Sequence, residues 1–202
     1  MRRLPDFAIE DNYKGLVCGV DEVGRGALCG PVVAAAVILD RRNSPQGIND
    51  SKLLTPGKRE GLYSAIVRSA ISVGVASVSA EEVDKINVLK ASLLAMGQAV
   101  SHLSFKPEVA LIDGNQMPDL SCPSRIIVGG DRVSISIAAA SIVAKVERDK
   151  TMARLARKYP GYGWETNMGY GTIRHIKAIR SAGITPEHRR SFRPVAQACH
   201  QK

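Results

Sequence analysis

The amino-acid sequence predicts an α/β fold, because segments with the apolar pattern of β-strands alternate along the chain with segments that carry helix signals. One strand-like run, residues 31–39, is apolar on both faces, which is typical of a central strand covered by helices on either side. A length of 202 residues, 45% of them apolar, is enough for one domain with a substantial core and a small appendage.

The first half of the chain predicts three strands and one helix. Thr55 followed by Pro56 is typical of a helix start, because threonine can cap a helix and proline suits its first position. In chain order we expect a loose lead-in at 1–15, strands at 16–22 and 31–39, a polar loop at 40–54, a helix from 56 to about 70 and a strand at 71–78.

The second half predicts two short strands and several helices. Ser79 and Glu82 have the spacing of a capping box, and one or two helices then run to about residue 103, with a break near Asn87. The remaining elements are strands at 109–112 and 126–128, a helix from about 134 to 158, a helix at 172–181 that Gly183 terminates, and an arginine-rich tail.

The charge distribution predicts a polyanionic partner. Residues 1–144 contain 15 basic and 15 acidic residues, whereas residues 145–202 contain 13 basic and 4 acidic residues and so carry the whole net charge of +9. Aromatic residues and glycines are interleaved with these basic residues, which favours nucleic acid as the partner over a plain solvated basic helix.

Other features of the composition exclude several protein classes. The four cysteines are scattered without a C-x-x-C pair, which argues against a zinc site and favours a reduced, cytoplasmic protein. The longest apolar run, residues 27–39, is too short to span a membrane as a helix, and the first residues lack the apolar stretch of a signal peptide. We therefore expect no membrane contact.

The strongest chemical signal is an acidic pair at the end of the first strand. Asp21 and Glu22 follow an apolar run and precede the turn Gly24-Arg25-Gly26. Carboxylates are hard ligands suited to Mg²⁺ or Mn²⁺, the glycines allow a ligand to approach the backbone, and the arginine fork fits a phosphate. Because neighbouring residues on a strand face opposite ways, we expect Asp21 to be the central ligand. Glu22 would contribute its side chain where the strand ends, or its backbone carbonyl.

Two further acids share this context. Asp113 and Asp131 also follow predicted strands and stand next to glycines, so they are expected to meet Asp21 and Glu22 at the carboxyl ends of the strands. Four carboxylates cannot remain ionised together without cations, and two divalent ions about 4 Å apart would create a phosphoryl-transfer site. Taken singly, each Asp beside a glycine is equally compatible with ordinary turn chemistry.

The motifs together resemble those of bacterial ribonuclease HII, in order from about residue 16 to about residue 195. The resemblance implies an RNase H-like mixed sheet flanked by helices, with a catalytic domain at 1–158 and a small, basic, helical C-terminal extension at 159–202. The segments that carry it are residues 19–26, 50–52, 113–115, 130–131, 138–146, 169–172 and 187–192.

The same resemblance implies an activity and a metal site. The activity is endonucleolytic cleavage of RNA in RNA–DNA hybrids and cleavage 5′ to a single ribonucleotide embedded in duplex DNA, leaving 3′-hydroxyl and 5′-phosphate ends. Two divalent ions, Mn²⁺ or Mg²⁺, would be held by the family's four acids, and the protein would act as a monomer. In this sequence those acids fall on Asp21, Glu22, Asp113 and Asp131.

Two further elements resemble the family's substrate contacts. The Gly24-Arg25-Gly26 turn is similar to its ribose reader, in which backbone groups bond the 2′-hydroxyl that distinguishes RNA from DNA. Tyr170 resembles the tyrosine that packs on the sugar of the next deoxynucleotide, which would make the enzyme prefer an RNA-to-DNA junction. From the residues alone, Tyr170 is equally a packing residue in a glycine-rich turn.

Several basic and polar residues have either a substrate role or a structural one. Lys52 looks like a phosphate contact, although an exposed loop lysine would look the same. Ser141, Lys145 and Arg148 would share a face of the long helix and could position the duplex, or the surrounding alanines could simply pack on the sheet. For three residues of the tail, distal phosphate binding and capping of the fold are equally open: His188, Arg189 and Arg190.

One departure from the family is Asn167-Met168, where its members often have His-Lys before the Gly-Tyr-Gly-Thr motif. It argues against a phosphate contact or a proton-transfer role in this loop, but it does not affect the four acids. Two other functions remain open from the sequence: another two-metal nuclease of this fold, such as a resolvase or exonuclease, and a basic nucleic-acid-binding protein without catalysis. The last would not require acids at strand ends.

Overall fold

The protein forms a five-stranded mixed sheet covered by helices on both faces, in a computed structural model that describes residues 4–199. The strands are arranged in the spatial order β3-β2-β1-β4-β5. Their bounds are β1 (Val17–Val23), β2 (Val32–Ile38), β3 (Ser72–Val78), β4 (Val109–Asp113) and β5 (Ser124–Ile127).

The pairing of the strands places three carboxyl ends at one edge of the sheet. β1 is antiparallel to β2, with Asp21 opposite Ala35, and β2 is antiparallel to β3. β1 is parallel to β4, with Val20 opposite Ile112, and β4 is parallel to β5. Chain segments that follow β1, β4 and β5 therefore emerge side by side, which is the arrangement that brings distant loop residues together.

The helices agree with the predicted ones except for two short additions. They are α1 (Pro56–Ser69), α2 (Ala80–Ile86), α3 (Val88–Ser101), α4 (Ile135–Lys158), α5 (Trp164–Asn167), α6 (Ile173–Ala182) and α7 (Arg193–Cys199). Asn87 has a φ of 67° and separates α2 from α3, and its side chain caps α3 by accepting from the backbone of Leu89 and Lys90. The one-turn α5 and the terminal α7 were not predicted, because segments so short carry little periodicity.

Residues 4–15 are tied to the domain more firmly than a loose lead-in would be. Glu10 is buried in a 3₁₀ turn, and its Oε1 accepts from the Ser134 hydroxyl (2.7 Å) and the Ser136 backbone N–H (3.0 Å). A carboxylate at this place satisfies free N–H groups at the start of α4 and complements the positive end of the helix dipole. The expectation of a loose segment was wrong, because this contact joins residues far apart in sequence.

The two faces of the sheet have separate cores. On one face α2 and α3 cover alternate residues of β1 and β2, such as Val20 and Ala36. On the other face α1 and α4 pack against the remaining set, such as Ala35 and Val37. This division follows from the alternation of side chains along a strand. It also explains why β2 is apolar on both faces.

Gly19 lets α4 approach β1 very closely. A Cβ at Gly19 would lie 2.0 Å from the carbonyl carbon of Ser136 and 2.2 Å from the backbone nitrogen of Ile137. Gly19 and Asp21 lie on the same face of β1, because they are two residues apart. The contact at Gly19 therefore also brings α4 up to Asp21.

Residues 159–199 surround a smaller core that they share with the second half of α4. Trp164, Ile179 and Val195 are buried there against Met152 of α4 and Cys29 of the loop before β2. This contact holds residues 159–199 against the segment that follows β1. No helix in residues 4–199 is long and apolar enough to cross a lipid bilayer.

Replacing Gly19 with alanine should strongly destabilise the fold, because the added Cβ would meet backbone atoms that no side-chain rotation can move. Overpacking typically costs about 1–3 kcal/mol, and a backbone clash belongs at or above the upper end of that range. Urea unfolding monitored by circular dichroism would measure the change in the free energy of unfolding.

The matched control is Gly61→Ala in the exposed interior of α1, where nothing lies within 4 Å of an added Cβ. Alanine there should raise the free energy of unfolding by about 0.5–1 kcal/mol, because it favours the helix over glycine. An unfolding midpoint of Gly19→Ala equal to that of the wild type would contradict the close packing of α4 on β1.

Candidate active site

Three carboxylates from distant parts of the chain meet at the carboxyl edge of the sheet. Asp21 lies near the end of β1, Asp113 is the last residue of β4, and Asp131 lies in a 3₁₀ turn after β5. One carboxylate oxygen from each lies within 4.8 Å of the others. These three acids therefore converge as the order of strands and loops predicted.

Asp21 is buried at the end of β1 and held in place by its neighbours. Its Oδ1 accepts from the backbone N–H of Glu22 at 2.7 Å, and the Ser141 hydroxyl lies close enough to interact with its carboxylate. Burial raises the pKa of Asp21 well above its usual value, and the charges of Glu22 and Asp113 raise it further. Ionised Asp21 thus requires a positive counter-charge.

Asp113 and Asp131 are held by the turn between β5 and α4. Asp113 Oδ1 accepts from the backbone N–H of Gly130 at 2.7 Å, which ties the end of β4 to this turn. Asp131 Oδ2 lies 3.5 Å from Lys52 Nζ. Burial raises the pKa of Asp131, with added effects from the charges of Asp50 and Asp113, while Lys52 opposes them.

Asp50 is a buried acid at the site that the sequence analysis did not assign a role. Its side chain is 6% exposed and lies 3.9 Å from Arg132 Nε, and its charge contributes to the raised pKa of Asp131. Asp50 follows no strand, so the signal that singled out the other acids was absent. Its place in the same short motif as Lys52 was the only available indication.

Glu22 lies outside the three-acid cluster. β1 continues to Val23, so the alternation of the strand separates Glu22 from Asp21. The Glu22 carboxylate lies 3.3 Å from Arg25 NH1. Burial raises the pKa of Glu22, Arg25 lowers it, and the Asp113 charge raises it, which keeps Glu22 within the electrostatic reach of the cluster.

The Gly24-Arg25-Gly26 turn and Tyr170 face each other next to the acids. Gly24 has a φ of 96°, and a Cβ there would lie 2.2 Å from Arg148 Nε. A Cβ on Gly26 would lie 4.0 Å from the Tyr170 ring. Tyr170 is 39% exposed, with the Arg148 guanidinium 5.5 Å from its ring centroid.

Arg148 binds the protein's own backbone. Of the two roles considered for this face of α4, presentation of Arg148 to a nucleic-acid backbone is excluded, because the side chain is fully buried. Its guanidinium donates to the carbonyl groups of Cys29, Pro31 and Met168 at 2.9–3.2 Å. Arg148 therefore joins the loop before β2 to the loop that carries Tyr170.

Arg189 makes the same kind of contact from the tail, donating to the carbonyl groups of Gly30 and Arg25. Arg189 and His188 are both buried, so of their two predicted roles the structure supports capping of the fold. Arg190 is exposed. Burial, followed by the charge of Arg148, lowers the pKa of Arg189 to about 10, so the side chain stays charged at neutral pH.

The remaining candidate contacts differ widely in exposure. Ser141 is buried and shares a 2.9 Å hydrogen bond with the Ser51 hydroxyl. Lys145 pairs with Asp149 at 2.6 Å. The Lys52 side chain is 75% exposed, and although burial lowers its pKa, the charges of nearby acids raise it overall.

Asn167 has a structural role in the loop where the family often has histidine. Its amide donates to the Tyr162 carbonyl (2.9 Å), and its side-chain oxygen accepts from the Gly169 N–H (2.8 Å). Met168 and Gly169 follow with positive φ values of 49° and 83°. The side chain of Asn167 thus stabilises a conformation that non-glycine residues rarely adopt.

The acidic cluster fits a divalent cation of the Mg²⁺ or Mn²⁺ type. It offers three carboxylate oxygens within 4.8 Å of one another, and carboxylates are the ligands that such hard ions prefer. Lys52 and Arg132 contact Asp131, but among residues 4–199 none forms an ion pair with Asp21 or Asp113. The negative charge of the cluster therefore exceeds what the protein's own cations balance.

Comparison with known proteins identifies the family. The model of the Ribonuclease HII family matches residues 18–195. The chain is 53% identical to a ribonuclease HII of Paramagnetospirillum magneticum, covering 96% of this chain and 98% of the relative, and 54% identical to one of a Jannaschia species, covering 96% and 97%.

The fold is also similar to a solved structure. The crystal structure of ribonuclease H2 from Pyrococcus horikoshii matches with a TM-score of 0.78 and 27% identity, covering 92% of this chain and 98% of that one. This likeness confirms the predicted RNase H-like mixed sheet flanked by helices. With the family model matching nearly the whole chain, the protein belongs to the ribonuclease HII family and is a hydrolase with ribonuclease activity on RNA–DNA substrates.

Proposed function

We propose that this enzyme is an endonuclease that cleaves RNA in RNA–DNA hybrids and cuts 5′ to single ribonucleotides embedded in duplex DNA, leaving 3′-hydroxyl and 5′-phosphate ends. The observation that carries the proposal is the meeting of Asp21, Asp113 and Asp131 within 4.8 Å, on the side of the sheet from which the Gly24-Arg25-Gly26 turn also emerges. A phosphodiester bond could then lie at the acids while the turn contacts the adjoining ribose.

Two divalent ions, Mg²⁺ or Mn²⁺, would be held by Asp21, Asp113 and Asp131, with Glu22 as a fourth ligand. When bound, such ions activate the attacking water and neutralise charge on the leaving oxygen. The chain itself orients the donor set. Ser141 and the Glu22 N–H fix the Asp21 carboxylate, and the Gly130 N–H fixes that of Asp113.

The surrounding residues would bind and orient the substrate. Lys52 is exposed beside Asp131, so its ammonium group can contact a phosphate next to the scissile bond. Ser141 acts on the substrate only through Asp21, because it is buried. Lys145 would reach a more distant phosphate from the same helix if its pairing with Asp149 opens.

The preference for a junction would come from two opposite surfaces. Backbone groups of the Gly24-Arg25-Gly26 turn can bond a 2′-hydroxyl, and Arg25, whose side chain is about half exposed, can hold the adjoining phosphate. The Tyr170 ring would pack on the sugar of the next deoxynucleotide. A 2′-hydroxyl on that sugar would meet the ring.

Asp113→Asn should reduce cleavage by at least about a thousandfold, because it removes a charged ligand while preserving the hydrogen bond from Gly130. The assay uses a DNA duplex with one embedded ribonucleotide and follows nicking 5′ to it in Mg²⁺, in Mn²⁺ and in EDTA. An all-DNA duplex gives the background.

Asp119→Asn is the matched control, because Asp119 is an exposed aspartate outside the site. Its cleavage rate should equal that of the wild type. If folded wild-type protein with added metal left the embedded ribonucleotide uncut but cleaved a long RNA–DNA hybrid, the junction activity would be excluded. Full activity of Asp113→Asn would exclude its assigned role.

Asp21→Asn should stabilise the metal-free fold at pH 8. The folded-state pKa of Asp21 is raised, so the stability linked to its protonation is present below the unfolded pKa of about 3.9 and is lost as pH rises through the folded value. Each kcal/mol regained should raise Tm by about 2–4 °C in a chain of this length.

The same experiment tests the metal site. Mg²⁺ should raise the Tm of the wild type more at pH 8 than at pH 5.5, because protons compete with the ion, and it should raise that of Asp21→Asn little. The difference in Tm between the two proteins in EDTA isolates Asp21 from other titrating groups. A metal response that is equal in both proteins would show that Asp21 is not a ligand.

Tyr170→Ala should reduce the preference for a single ribonucleotide over a uniform hybrid by about tenfold, because it removes the ring on which the deoxyribose packs and a difference of about 1.4 kcal/mol between the two substrates is a factor of ten. The preference is the ratio of kcat/KM for the two substrates. Tyr170→Phe keeps the ring and should keep the ratio. An unchanged ratio in Tyr170→Ala would remove the tyrosine from substrate selection.

A further inference from the structure

A chain of buried hydrogen bonds leads from the C-terminal tail to the backbone of Tyr170. His188 Nε2 lies 3.1 Å from His175 Nε2, and His175 Nδ1 lies 2.9 Å from the Tyr170 carbonyl oxygen. The indole N–H of Trp164 donates to His175 Nε2 at 2.9 Å. All three side chains are almost completely buried.

The hydrogen-bond partners of the two histidines determine which ring nitrogen of each carries the proton. His188 Nδ1 accepts from the backbone N–H of Thr185 at 2.9 Å, so the proton of its neutral ring is on Nε2. That N–H donates to His175 Nε2, which also accepts from Trp164. The proton of His175 must then be on Nδ1, where it donates to the Tyr170 carbonyl.

Burial supports the neutral state of both rings. It lowers the pKa of His188 to about 4, with a further contribution from His175, and it also lowers the pKa of His175. A second proton on His175 would place three N–H groups against one another at Nε2, because Trp164 and His188 both donate there. The direction of the hydrogen bonds is therefore built into the fold.

The segment that receives the last bond needs external support. Met168 and Gly169 have positive φ values, and a non-glycine residue in this region is strained unless its surroundings hold it. The Tyr170 carbonyl accepts from His175 and also from the Thr172 N–H at 2.8 Å. Its own N–H donates to the Asn167 carbonyl at 2.9 Å.

We propose that His175 is a positioning residue for Tyr170, oriented by His188 and Trp164, so that the C-terminal extension takes part in substrate selection. The ring of Tyr170 lies next to the turn at Gly26, and a backbone shift of about 1 Å would alter its contact with a sugar packed on the ring beside that turn. This inference rests on the proposed function. His175 touches no substrate and acts only through the Tyr170 backbone.

The test compares two substitutions of nearly equal shape, His175→Asn and His175→Leu. The amide nitrogen of asparagine is as many bonds from Cα as His Nδ1, so it can donate to the Tyr170 carbonyl, whereas leucine cannot. Both variants lose the acceptor for Trp164. The difference between them therefore reports the bond to Tyr170 rather than the general stability of the core.

The measured quantity is the ratio of kcat/KM for a single embedded ribonucleotide to kcat/KM for a uniform hybrid. His175→Leu should lower this ratio by about five- to tenfold, the effect of one lost hydrogen bond, and His175→Asn should restore most of it. In a Tyr170→Ala background, His175→Leu should cause no further loss of the ratio. If His175→Leu does not fold, Trp164→Phe takes its place in the test. This variant keeps a ring but removes the indole N–H, and it should lower the ratio by a smaller factor.

The possible outcomes separate this inference from the function on which it rests. Equal losses on both substrates, or a further loss of the ratio in the Tyr170→Ala background, would overturn the positioning role and leave the function intact. An unchanged ratio in His175→Leu, with a reduced ratio in Tyr170→Ala, would do the same. Absence of cleavage of both substrates by the wild type would overturn the function and the inference together.

Discussion

The candidate site depends on two guanidinium groups that are completely buried and donate their hydrogen bonds to backbone carbonyls. Arg148 and Arg189 make six such hydrogen bonds to the loop between β1 and β2 and to the loop before Tyr170. A buried charge without partners would be very unfavourable, so each contacted carbonyl must stay where the guanidinium needs it. The two arginines thereby fix the position of the Gly24-Arg25-Gly26 turn relative to Tyr170.

The acidic cluster differs from the two arginines, because its charges are not balanced by groups of the protein itself. Asp21 and Asp131 are buried close to other carboxylates, and their pKa values are raised first by burial and then by that repulsion. The sheet, Gly19 and the Ser141 hydroxyl nevertheless hold them together. A site of this kind would give up some stability of the metal-free protein in favour of the proposed cation binding, a relation common at functional sites.

The basic C-terminal quarter serves two purposes that net charge alone cannot separate. Some of its charges, such as Arg190, are exposed and available to a polyanion. Others, Arg148 and Arg189, are internal supports. The prediction of a nucleic-acid partner agrees with membership in a ribonuclease family, but the charge imbalance overstates the cationic surface.

The predicted domain boundary at residue 158 falls at the end of α4, whose second half shares a core with residues 159–199.

The sequence by itself determined the α/β class, most of the helices and strands, and the acids that follow strand ends, because periodicity, capping residues and glycines are local signals. It also carried the motifs that place the chain in its family. Only the tertiary structure decided the burial of Arg148, the position of Asp50 beside Asp131, and the hydrogen bonds that lead through two histidines to the Tyr170 backbone. Burial and hydrogen-bond partners depend on segments distant in sequence, so an arginine, aspartate or histidine looks the same in the chain whether it faces solvent or supports a loop.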